Sequence, residues 1–308
     1  MICYDPEKDI PDLSGKVIFI TGGTGGVGKE LVLFLAAHNP AHIYFTGRNR
    51  EAAAAVTAAA KAKGPDTEFT FIPCDLCAPR GQIREALVQG FASPRLDIFI
   101  ANAGVMATPP GLTAEGFEVQ WGNNFLGHAV LAQLLWPTLL RTAARPGADV
   151  RHVLVSSRAH GMAPAGGIEF ASLRAAETAG VDAFGRYGQS KVAQIAYGRA
   201  LARRYPAVAT VAVHPGIGRT GLMSHAEPSL STRLFTVGKF LLSSAADLAR
   251  NPLWAATAPR APGAGPQSGA YYEPVGRRSG ASKDALDDEL AERLWAWTEN
   301  ELRDLEPL

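Results

Sequence analysis

The stretch KVIFITGGTGGVGK, from Lys16 to Lys29, decides how the rest of the chain folds. Val17, Ile18, Phe19 and Ile20 form an unbroken apolar, β-favouring run, the pattern of a strand covered on both faces in a parallel sheet. Five glycines follow within seven positions, from Gly22 to Gly28. Beyond them Leu31, Phe34, Leu35 and His38 recur at helical spacing, so the glycines lie where a strand turns into a helix. Free N–H groups point outward at such a turn, the helix dipole favours negative charge, and missing side chains let a pyrophosphate reach the backbone. Two registers fit. Gly23, Gly25 and Gly28 spell G-x-G-x-x-G, while Thr21, Gly22, Gly26 and Gly28 spell T-G-x-x-x-G-x-G, with Thr24 and Val27 inside the loop. Either way the expected ligand is a dinucleotide.

A second β-like run, His42 to Thr46, leads to Gly47, Arg48, Asn49 and Arg50. In dinucleotide folds an acid about twenty residues past the glycines holds the ribose 2′-hydroxyl, whereas an arginine there suits a 2′-phosphate. No acid occurs between Leu31 and Arg50, and Arg48 stands at the expected distance. NADP(H) is therefore expected over NAD(H), with Arg48 and Asn49 beside the phosphate.

The same alternation continues outward. An alanine-rich helix, Glu51 to Lys63, precedes a strand from Glu68 to Pro73 that ends at Cys74, Asp75 and Leu76. A helix from Pro79 to Phe91 precedes a strand from Leu96 to Ile100 and the run Ala101, Asn102, Ala103, Gly104. A long helix from Gly122 to Ala144 contains Asn124 and is expected to bend at Pro137. His152 to Val155 forms the next strand, followed by Ser156-Ser157 and a loop-like insertion up to Asp182. A helix from Phe184 to Tyr205 carries Tyr187 and Lys191, and a strand from Thr210 to Val213 ends in His214-Pro215-Gly216. Repeated β-α alternation implies one doubly wound parallel sheet, α/β and Rossmann-like, of about seven strands with helices on both faces. No repeat or linker divides residues 1–308, so a single domain is expected. Residues 221–242 read as a mobile cover, 269–275 as a seventh strand and 284–302 as an amphipathic terminal helix.

Thirty basic and twenty-nine acidic residues give a net charge of +1, which recommends neither nucleic acid nor an anionic membrane as partner. The three cysteines are too few for a disulfide framework; Cys74 and Cys77 form a C-x-x-C without a second pair or nearby histidine, so no metal is expected. No apolar stretch approaches the ~20 residues that span a bilayer, and the first residues lack a signal-peptide pattern. A cytoplasmic protein without a membrane anchor is the expectation.

Tyr187 and Lys191 are four residues apart and share one helical face, so an ammonium beneath the phenol is expected to pull the tyrosine below its usual range. In sum the chain resembles the short-chain dehydrogenase/reductase superfamily from about Leu13 to Tyr272. The matching motifs are T-G-x-x-x-G-x-G at Thr21 to Gly28, Asp75, Asn102-Ala103-Gly104, Asn124, Ser157, Y-x-x-x-K at Tyr187 to Lys191, and Pro215-Gly216 with Thr220. The segments GFEVQWGNNFLGH and VLVSSRAHG are most similar to the retinol-dehydrogenase-like branch and its fungal metabolic members. Retinol enzymes usually carry a membrane anchor, and none is seen here, so a retinoid substrate is not expected.

The resemblance implies roles. Tyr187 would be the general acid in carbonyl reduction, Lys191 would lower its pKa and bind the nicotinamide ribose, Ser157 would donate to the carbonyl oxygen, and Asn124 would hold a water linking Lys191 to solvent. Gly22, Gly26 and Gly28 would approach the pyrophosphate, Asp75 and Leu76 the adenine, Asn102 the adenosine ribose, and Ile217 with Thr220 the carboxamide. Two departures stand out: Ala101 replaces an asparagine, and Gly25 sits where many NADP enzymes place a basic residue. Met106, Arg158, His160, His214 and Leu222 are substrate-pocket candidates, the two histidines equally readable as structural. The expected function is NADP(H)-dependent reduction of a ketone or aldehyde on a small to medium hydrophobic molecule, of secondary-metabolite type. NAD-linked alcohol oxidation and a nucleotide sensor on the same fold are the alternatives. Thirty residues separate Ser157 from Tyr187, and in carbonyl-reductase-like relatives such insertions cover a helix used for association, leaving monomer and homodimer both open.

Overall fold

A computed structural model describes residues 3–177, 180–218, 243–260, 265–306 and 308. Strands β1 (Val17–Ile20), β2 (His42–Gly47), β3 (Glu68–Pro73), β4 (Ile98–Ala101), β5 (Arg151–Val155), β6 (Ala209–Val213), β7 (Tyr271–Glu273) and β8 (Arg277–Arg278) form one sheet in the order β3-β2-β1-β4-β5-β6-β7-β8. Seven strands are parallel, as expected. The eighth is an antiparallel addition of two residues, pairing Tyr272 with Arg278 and Glu273 with Arg277, too short to leave a periodic signal. The strand order reverses beside β1, which pairs with β2 on one side and β4 on the other, and that reversal opens the crevice at the carboxyl ends.

Period-two alternation sends successive side chains of β1 to opposite faces. Phe19 joins one core with Phe99, Trp121, Phe125 and Leu135, while Ile18 and Ile20 join the other with Leu31, Leu35, Ile43 and Leu253. Helices α1 (Pro6–Asp9), α2 (Gly26–Ala36) and α3 (Arg50–Lys63) contribute to the second face. Helices α4 (Arg80–Gly90), α5 (Val119–Trp121), α6 (Gly127–Ala143) and α7 (Ala183–Arg204) build the first, and α8 (Ala245–Thr257) returns to the second. The helix expected from Gly122 to Ala144 thus starts one turn earlier, at α5, and its first residues, Gly122–Leu126, adopt a π-helical turn before α6. Such turns widen the helix and free backbone groups for other partners. Asn124 lies in its middle.

The insertion after Ser157 contains two 3₁₀ turns, Arg158–Met162 and Phe170–Ser172, where an irregular loop is expected from sequence. Helix α9 (Asp288–Glu301) lies along α7: Trp295 stacks on Tyr197 at 5.5 Å, the Arg204 guanidinium sits 4.3 Å from the Trp295 ring, and Asp288 and Glu292 receive Arg199, Arg203 and Arg204. No helix among the described residues is long and apolar enough to cross a membrane.

Candidate active site

The glycine loop shows which register the backbone requires. Gly22 and Gly26 have φ of +68° and +51°, the left-handed region that disfavours a Cβ. A Cβ on Gly28 would press on the Gly22 carbonyl oxygen and lie 2.6 Å from Asn102 Nδ2. Gly25 caps α2 in extended geometry with open space around it. The T-G-x-x-x-G-x-G register therefore matches the steric demands, and G-x-G-x-x-G fails at Gly25. These three positions form a cradle of bare backbone at the start of an eleven-residue helix, the form that accepts a dinucleotide pyrophosphate.

The loop is braced from β4. Asn102 Nδ2 donates to the Thr21 carbonyl at 2.9 Å, and the backbone N–H groups of Asn102 and Ala103 donate to Thr21 Oγ1 at 2.8 and 2.9 Å. One N–H of the Asn102 amide thus holds the loop. Thr24 packs on Gly47, where a Cβ would come within 2.6 Å of its Cγ2, and this brings the loop against the end of β2. Arg48 follows, exposed and without an ion pair among the described residues, while Asn49 is occupied in capping α3 through Ala52 N at 2.9 Å. Asp75 is exposed and accepts from Cys77 N at 3.0 Å; Leu76, also expected at the adenine, is buried with its side chain against Gly127. Burial raises the Cys74 and Cys77 thiols to about 12 and about 11, so neither is a thiolate near neutrality.

At the carboxyl ends of β5 and β6 the remaining groups meet. Ser156 is buried and donates to the Lys191 carbonyl at 2.9 Å, so it anchors α7; Ser157, half-buried, caps the following turn and faces Tyr187. Tyr187 and Lys191 share a face of α7 with the ammonium 5.3 Å from the phenol ring. The expected lowering of the phenol is not what the protein alone produces. Burial pushes Tyr187 up to about 12 against the opposing effect of Ser157, and burial brings Lys191 down to about 7. Desolvation is the largest influence on both groups. Lys191 Nζ donates to the Val155 carbonyl at 3.0 Å and to Gln194 Oε1 at 2.9 Å.

Asn124 is tied into the site by its neighbours. Its side chain clamps Val105 in both directions, Val105 N to Oδ1 at 2.8 Å and Nδ2 to the Val105 carbonyl at 2.9 Å. Its own carbonyl accepts from His128 Nδ1 at 3.0 Å and Gln194 Nε2 at 2.9 Å. His128 and Gln194 are thus both held to the Asn124 backbone. Sequence alone does not single out Gln194 or His128, although Gln194 lies three residues past Lys191 on one face and His128 four past Asn124.

Of the pocket candidates, Met106 is half-buried beside Ala107, whose φ is +52° and whose N–H donates to Gln120 Oε1 at 2.9 Å. Arg158 is not a free cation: its Nε donates to Glu273 Oε1 at 2.9 Å, and Arg277 shares the same carboxylate. His160 is buried edge-on to Tyr271 at 5.2 Å with Nδ1 accepting from Ser282 N, a packing role. His214 is buried and pushed down to about 4 by burial. Pro215, Gly216 (φ +118°) and Ile217, half exposed, follow β6. Thr220, Leu222 and the cover at 221–242 lie outside the described residues.

The profile of the short chain dehydrogenase family matches residues 16–230. A short-chain dehydrogenase/reductase of Aspergillus calidoustus, drtF, is 38% identical with 97% of each chain covered, and human retinol dehydrogenase 12 is 34% identical with 92% of this chain and 85% of that protein covered. Among solved structures, an uncharacterized protein of Mycobacterium paratuberculosis superposes with a TM-score of 0.73 at 26% identity, covering 99% of this chain and all of that one. A short-chain dehydrogenase of Shigella flexneri complexed with NADP shares the fold, with a TM-score of 0.61 at 20% identity over 85% of this chain and 98% of that one. The chain belongs to the short-chain dehydrogenase/reductase family of oxidoreductases. Within the family it falls in the retinol-dehydrogenase-like branch.

Proposed function

We propose that the protein reduces a ketone or aldehyde on a small to medium hydrophobic molecule with NADPH. The observation that carries this is the convergence of Ser157, Tyr187 and Lys191 at the sheet edge onto which the Gly22, Gly26 and Gly28 cradle opens. When bound, the nicotinamide cofactor supplies the hydride. Ser157 donates to the carbonyl oxygen, Tyr187 delivers the proton, and Lys191 holds positive charge next to the phenol. Asn124, by clamping Val105, fixes the backbone next to Met106. Apolar substrate chemistry is supported by the exposed large hydrophobics: Leu112, Met162 and Ile217 sit at 48, 51 and 50% exposure on the segments leaving β4, β5 and β6. The fungal relatives favour a secondary-metabolite carbonyl, acted on in the cytoplasm.

Arg48 is the proposed 2′-phosphate partner. Fluorescence titration with NADPH and NADH is expected to show tighter NADPH binding, and Arg48→Ala to raise the NADPH Kd roughly ten- to hundredfold while leaving NADH unchanged, as for loss of a charge-assisted hydrogen bond. Equal affinities in the parent protein would replace this proposal with NAD-linked alcohol oxidation, which the bare Gly25 favours. The cover of α9 over α7 supports a monomer. Light scattering on the eluting protein is expected to give the mass of one chain, and a dimer mass would overturn that.

A further inference from the structure

Gln194 is 1% exposed on α7, one turn beyond Lys191, and both ends of its amide are engaged. From the direction of these bonds we infer that Gln194 is a positioning residue of the reaction: it fixes the Lys191 ammonium to the Asn124 carbonyl and so ties the lysine to the glycine loop. The direction admits one solution. A carbonyl only accepts and an ammonium only donates, so Gln194 must turn Nε2 to Asn124 and Oε1 to Lys191; the flipped amide would set donor against donor and acceptor against acceptor. The Asn124 carbonyl likewise requires a proton on His128 Nδ1. Burial holds that imidazole neutral, down to about 4, leaving Nε2 to accept from the Thr21 hydroxyl at 2.8 Å. Thr21 Oγ1 in turn accepts from Asn102 and Ala103 N–H. Two donor runs, one from Lys191 through Gln194 and one from the glycine loop through Thr21 and His128, thus converge on the Asn124 carbonyl.

A satisfied buried network of this kind fixes its members in place, and a vacancy in it is costly. Here Gln194 joins the Asn124 carbonyl to Lys191 through its own side chain. It supplies Lys191 with an acceptor that favours the charged form, opposing the burial that lowers it. The other titratable groups facing Lys191 are Tyr187 on the same helix, His128 from α6 and His214 after β6. Both imidazoles lose their protons near pH 4, well below the lysine, so their titration does not overlap with it.

The inference rests on Lys191 belonging to the catalytic set, and its test does not use turnover. In protein labelled with 13C at lysine Cε, the Lys191 resonance is assigned by its loss in Lys191→Met, and its midpoint is followed by NMR titration. Gln194→Met keeps the length and volume of the side chain but removes the acceptor. Its Lys191 midpoint is expected to fall by about one pH unit, as for loss of a hydrogen bond to the charged form. Gln194→Glu keeps an acceptor toward Lys191, and its midpoint is expected at or above the parent value. An unchanged midpoint in Gln194→Met, or a lowered one in Gln194→Glu, overturns the inference. Full carbonyl-reducing activity in Lys191→Met would instead end the catalytic assignment of the lysine, leaving the Gln194 contact to be judged by the titration alone.

Discussion

Tyr187→Phe is expected to lower kcat for NADPH-driven carbonyl reduction by about 10³-fold, within the range that a positioned general acid supplies. The substitution removes one oxygen from a side chain that is 3% exposed and leaves the ring against its neighbours, so melting temperature and NADPH affinity should stay near the parent values. The sign follows from the site. Tyr187 in the protein alone lies at about 12 and is fully protonated at neutrality, so it enters the reaction as an acid and phenylalanine has nothing to deliver. Loss of NADPH absorbance with a carbonyl compound that the parent turns over gives the rate. A Phe variant within about tenfold of the parent would remove Tyr187 from the chemistry and leave Ser157 as the proton source to examine.

Gly28→Ala is expected to destabilise the fold by about 1–3 kcal/mol, the usual cost of forcing atoms into a filled space. The new Cβ meets the Gly22 carbonyl oxygen and Asn102 Nδ2, and neither can retreat, because Asn102 is bonded to Thr21 and Gly22 is held in left-handed geometry. Relief requires the loop to open, so dinucleotide affinity should fall at least about tenfold with it. Gly25→Ala is the internal comparison: its Cβ would enter open space at extended φ, and the melting temperature should not move. Equal stability losses at the two positions would mean that the loop is held by something other than the Gly28 contact.

The sheet was legible because its information is local. Apolar runs at Val17–Ile20 and Val153–Val155, and glycines between strand and helix, write their structure into a few adjacent letters. Long-range polar partnerships are not written that way. Nothing near Arg158 announces Glu273, more than a hundred residues later, and so a paired arginine reads as a free one. The catalytic pair shows the same limit in another form. Spacing places Lys191 next to Tyr187, but the direction of their titration depends on how much water the fold removes, a property of the whole first-face core. The two-residue β8 and the π-helical turn at Gly122–Leu126 are invisible for a third reason: each departs from regular geometry over too few residues to alter a periodic pattern.

That short β8 has a bearing on how the molecule behaves in a crowd. An uncovered sheet edge offers unpaired N–H and C=O groups to any extended chain, and thereby invites aggregation. Here the edge beyond β7 is closed by two arginines running in the opposite direction, both exposed. It is too short to template a foreign strand. At the opposite end β3 finishes on Pro73, which has no N–H to offer, so growth of the sheet from one molecule to the next is discouraged at both of its margins.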